Sequence, residues 1–70
     1  MEHRQLEELG ENLRRLGHQR RETVERIVAA AEAGPGDTGA LYRELDQISE
    51  RAIGLMEQQR EMIREELEGH

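Results

Sequence analysis

The sequence predicts an all-α protein: an antiparallel two-helix hairpin, coiled-coil-like, that dimerises into a four-helix bundle. Three observations carry that reading. The only proline and three of the seven glycines fall together in Gly34-Pro35-Gly36-Asp37-Thr38-Gly39. The segments on either side contain no proline, and their apolar residues recur at helical spacing. Folded about residue 36 or 37, the two halves bring apolar positions opposite apolar positions along most of their length.

The first helix is expected over about 4–33, starting between His3 and Leu6. It lacks a clear capping residue, although Glu2, Glu7 and Glu8 suit the positive end of a helix dipole. Leu6, Leu9, Leu13 and Leu16 follow the alternating three- and four-residue steps of a coiled-coil seam. The next seam positions are Arg20 and Thr23. The apolar stripe then resumes at Val24, Ile27, Val28 and Ala31, a drift towards an eleven-residue repeat that unwinds a supercoil. Gly10 and Gly17 lie beside the leucine seam. They mark either the close approach of another helix or tolerated surface positions, since glycine within a helix costs about 1 kcal/mol relative to alanine.

The turn, 34–38, combines two stop signals. Gly34 can take the left-handed cap, and Pro35 cannot continue the ladder. Asp37 or Thr38 can then accept a hydrogen bond from the free N–H groups that open the second helix.

The second helix is expected over about 39–68. Leu41, Leu45, Ile48, Ala52 and Leu55 form its seam, extended by Met62 and interrupted by Gln59. Tyr42, Ile53, Met56, Ile63 and Leu67 widen that seam on both flanks. So broad a face exceeds what one partner helix covers. In the hairpin, contacting residues have numbers summing to about 73, so that Ile27 meets Leu45, Leu16 meets Met56, Leu9 meets Ile63 or Arg64, and Leu6 meets Leu67. The expected hairpin core is Leu6, Leu9, Leu13, Leu16, Val24, Ile27, Leu41 and Leu67. The expected dimer or partner face is Leu45, Ile48, Ala52, Ile53, Leu55, Met56, Met62 and Ile63.

Composition points the same way. Seventy residues with 34% hydrophobic and 37% charged positions give a thin core. Chains this small need disulfides, a metal or oligomerisation. There is no cysteine, and the nitrogen and carboxylate ligands left for a metal are poorly arranged, which leaves oligomerisation. The net charge of −6 disfavours nonspecific binding to nucleic acid or to an anionic membrane. No stretch reaches the ~18 apolar residues of a membrane span, and no leader is expected, so the cytoplasm is the expected location. All ten basic residues are arginine, which excludes chemistry on a lysine amine.

No catalytic set emerges. Ser49 is the only serine and has no histidine at a matching helical offset. The glycine-rich turn lacks the lysine of a phosphate-binding loop. His18 and Glu22 share a helix face, but no Glu-x-x-His metal motif occurs, and no cofactor is expected. Arg14, Arg15, His18, Arg20 and Arg21 make the one locally basic segment, a candidate anion site. Arg20 and Gln59 are polar residues at core positions, where such residues fix register and partner number.

The run Leu41-Tyr42-Arg43-Glu44-Leu45-Asp46-Gln47-Ile48, with Leu55-Met56 and Arg60, resembles the first helix of the all-helical chorismate mutases. It covers about twenty residues. Its arginines sit one place out of register, and the lysine that the resemblance would require is missing. The expected function is therefore non-enzymatic: homodimerisation and protein–protein contact, as an adaptor or as a regulator that sequesters a partner helix. One alternative is a regulator sensing an anionic ligand such as a nucleotide through the arginine segment. Another is a designed or fragmentary bundle without activity.

Overall fold

The computed structural model describes residues 3–34 and 36–69. Two helices account for nearly all of them, α1 over His3–Ala33 and α2 over Gly39–Glu68. They pack against each other along a body measuring 57 × 15 × 12 Å. Cross-helix contacts join Arg26 to Glu44 and Arg20 to Ser49, so numbers fall on α1 as they rise on α2. The pair is an antiparallel hairpin. Neither helix is long and apolar enough to cross a membrane among the described residues.

The turn works as its residue types require. Gly34 adopts φ +124°, a conformation open to glycine and strained for other residues. Pro35 lies outside the described residues. Asp37 Oδ1 accepts a hydrogen bond of 2.8 Å from the Gly39 N–H, which satisfies one free donor of the new helix. Thr38 occupies the N-cap position without a side-chain cap, and its carbonyl accepts the first helical bond from the Tyr42 N–H at 3.0 Å. Of the two capping candidates, the aspartate takes the role. At the start of α1, Glu7 and Glu8 lie beyond the first turn, where the dipole effect has faded, and Glu2 lies outside the described residues.

The seam of α1 does not drift. Leu6, Leu9, Leu13 and Leu16 are half-buried, Thr23 and Ile27 are buried and Ala30 is half-buried, with Arg20 in sequence between them. These are the unbroken steps of a heptad. Val24 and Val28, expected to carry the resumed stripe, are instead exposed at 39% and 50%. The reason is Thr23, only 2% exposed, whose hydroxyl donates to the Gln19 carbonyl of its own helix at 2.9 Å. With its polar group satisfied locally, threonine serves the seam through its methyl and costs no unpaired donor. On α2 the seam runs Leu41, Leu45, Ile48, Ala52, Leu55, Gln59, Met62 and Glu66, with Ile48 its most buried apolar member at 6%.

The register also differs from the expected one. The cross-helix pairs Arg26–Glu44 and Arg20–Ser49 have numbers summing to 70 and 69, about three less than 73. That shift moves Met56, Ile63 and Leu67 off the seam and leaves Leu67 76% exposed. Val24 and Leu67 are thus not hairpin-core residues. Leu6, Leu9, Leu13, Leu16, Ile27 and Leu41 lie on the seam.

Candidate interaction surface

An antiparallel helix pair has two flanks, because the residues just before the seam on one helix face those just before it on the other. On the first flank lie Gln5, Asn12, Gln19 and Arg26 of α1, beside Glu44, Arg51 and Gln58 of α2. The Arg26 guanidinium donates to the Glu44 carboxylate here at 2.9 Å, tying the helices near the turn. Further along runs an open groove of about 430 Å³, with Arg15 and Arg51 at its sides and Leu16, Gly54 and Leu55 beneath. Polar and charged side chains edge this flank, over a groove floor that is largely apolar.

The second flank is its opposite in character. Seven large hydrophobics are exposed among the described residues: Val24, Val28, Tyr42, Ile53, Met56, Ile63 and Leu67. Each follows a seam residue by one position: Thr23, Ile27, Leu41, Ala52, Leu55, Met62 and Glu66. A step of one residue rotates 100° about the helix axis, always to the same side. All seven therefore share one flank, rather than widening the seam on both sides. Gly10 and Gly17 follow Leu9 and Leu16 in the same way, and a Cβ added at either would meet nothing within 4 Å. Nothing within the chain approaches these glycines closely.

The expected partner face accordingly splits in two. Leu45, Ile48, Ala52, Leu55 and Met62 point along the seam towards α1 and are buried or half-buried there. Ile53, Met56 and Ile63 remain outward, 44–49% exposed.

The arginine segment is also divided. Arg14, His18 and Arg21 surround Gly17 on the outer face of α1. Two of them are engaged: Arg14 lies 3.4 Å from Glu11, and His18 Nε2 lies 2.7 Å from Glu22. Arg15 lines the polar groove on the other flank. Arg20 leaves its seam position outward, and its Nε–H donates to Ser49 Oγ at 3.1 Å. The five residues do not converge on one point. Among the described residues, no three His, Cys, Asp or Glu side chains are placed to hold a metal ion. Gln59 is half-buried in the α2 seam.

Arg20 interrupts an otherwise apolar line, so replacing it should strengthen the hairpin. The variant Arg20→Leu is expected to raise the melting temperature by several degrees, read by circular dichroism, because a solvent-exposed hydrogen bond from the guanidinium to a hydroxyl contributes only ~1 kcal/mol while a leucine would bury its side chain. Light scattering should show a less defined oligomeric state, since the register-setting polar group is gone. Lower stability with unchanged stoichiometry would reverse this assignment.

The one-sidedness of the exposed apolar residues had a signal in the sequence. Continuing the leucine heptad through Arg20 and Thr23, and then adding one to each seam number, finds it. Compared with known protein families, curated proteins and solved structures, the chain matches none.

Proposed function

We propose that this hairpin is non-enzymatic and acts by homodimerisation and protein–protein contact through its apolar flank, as an adaptor or a regulator. The observation that carries this reading is the gathering of Val24, Val28, Tyr42, Ile53, Met56, Ile63 and Leu67 on one side, while none of the large exposed hydrophobics among the described residues lies on the other. Scattered surface hydrophobics are ordinary, whereas a contiguous apolar patch on so small a chain marks an interface. Size supports it. Among the described residues the buried hydrophobic core is Ile27 and Ile48, too little for a chain of 70 residues to rely on. A second copy covering the flank would supply the missing burial and complete a four-helix bundle. Met56, with its flexible thioether, would let the surface adapt to its occupant.

Size-exclusion chromatography with light scattering at low micromolar concentration tests the reading. A mass of twice the 8.1 kDa chain is expected. A folded monomer at every concentration would overturn it.

A further inference from the structure

We infer that the two copies meet through α2 alone, antiparallel, about a two-fold axis between Ile53 and Met56. This rests on the self-association proposed above and adds the orientation and the contacting helix.

The apolar flank of α2 is itself a heptad line: Tyr42, Asp46, Ser49, Ile53, Met56, Arg60, Ile63 and Leu67, in alternating steps of four and three. A helix that carries two such lines can serve two partners. The first line is occupied by α1; on the second only Ser49 is engaged from α1, by the Arg20 guanidinium, and Tyr42, Ile53, Met56, Ile63 and Leu67 stay exposed. Its two charged members have opposite sign and lie seven residues to either side of Ile53. Neither Asp46 nor Arg60 is ion-paired among the described residues.

That charge pattern selects the docking. With the axis between Ile53 and Met56, Tyr42 lies at the level of Leu67 on the other copy, and Ile53 at the level of Met56. Asp46 falls within one turn of the other copy's Arg60, so two ion pairs form per dimer. Parallel in-register docking sets Asp46 against Asp46 and Arg60 against Arg60, which is repulsive at both. Docking α2 onto the other copy's α1, at the levels the hairpin's own register sets, brings Met56 to the level of Arg14 and Ile63 to that of Glu7, apolar against charged. Arg14 and Arg21, with His18 between them, keep α1 from packing on its own copy. The open space above Gly10 and Gly17 leaves room for the neighbouring α2 to settle beside α1.

The test uses the full chain, which has no native cysteine. A nitroxide attached at Arg43→Cys, an exposed position turned away from α1, reports the distance between copies by pulsed electron resonance. Antiparallel α2 docking separates the labels by 23 residues along the axis, roughly 34 Å at 1.5 Å per residue. Both rival arrangements bring them to the same level, under about 20 Å given interhelical distances of ~10 Å. Asp46→Arg should weaken the dimer about tenfold by setting arginine against arginine, and Asp46→Arg with Arg60→Asp should restore it. A short label distance within a confirmed dimer, or an Asp46→Arg variant that dimerises normally, overturns this docking and leaves self-association standing. A labelled chain that stays monomeric overturns both.

Discussion

Glutamate at Ile53 or at Met56 leaves a hairpin that folds but no longer pairs. Both side chains are about half exposed in the isolated chain, so the change adds no charge to the hairpin's own seam. In the proposed dimer each would stand at the centre of an apolar interface, twice by symmetry. A carboxylate there loses its water without gaining a partner, a penalty of several kcal/mol per site. The dissociation constant is expected to rise by at least a hundredfold, about 2.7 kcal/mol or more. Sedimentation at micromolar concentration should show monomer where the parent chain is dimeric. The melting temperature should also lose its dependence on protein concentration, because mass action no longer links folding to assembly. Gln58→Glu, which places the same charge on the polar flank, should change neither measurement. If Ile53→Glu and Met56→Glu dimerise like the parent, the apolar flank is not the interface.

The hairpin itself was legible from Gly34 to Gly39 and from the leucines on either side, because helix stops and apolar periods are local properties of the chain. The details that failed are those that depend on which residue wins a shared seam. Thr23 reads as polar until its hydroxyl is seen turned back to the Gln19 carbonyl, and that misreading moved the stripe to Val24 and Val28. The expected register was then about one helical turn out. It placed Met56, Ile63 and Leu67 against α1, although they lie on the outward flank. Of the exposed apolar residues, the expected partner face included Ile53, Met56 and Ile63, while Val24 and Leu67 were expected in the hairpin core. The gathering on one side emerges only when the heptad is carried through Arg20 and Thr23, because the position of a flank is defined only once the seam is fixed. The basic segment shows the converse. Five neighbouring residues looked like one site, but helical rotation sends Arg15 to the polar groove and Arg20 to Ser49, away from Arg14, His18 and Arg21.

Ile48→Ala should be the most damaging truncation in the chain. Ile48 is 6% exposed and sits in the middle of the α1–α2 seam. Removing its outer methyl groups and the contacts they make costs about 2–4 kcal/mol, the lower part of the range if the neighbouring side chains close in. A domain of this size has a total stability of only roughly 4–10 kcal/mol at ~0.05–0.15 kcal/mol per residue. Urea denaturation followed by circular dichroism should therefore show a much lower midpoint, and Ile27→Ala, at the other buried site, should behave alike. Leu67→Ala removes a comparable side chain that is 76% exposed and, at protein concentrations where the chain is monomeric, should cost less than about 0.5 kcal/mol. The contrast with the glutamate variants separates the two faces of α2. Ile48→Ala should lower stability at every protein concentration, because it weakens the hairpin before any partner arrives. Ile53→Glu should lower it only where the parent chain is dimeric. Should Ile48→Ala prove no worse than Leu67→Ala, the seam assigned to α2 would be misplaced, and the flank beside it with it.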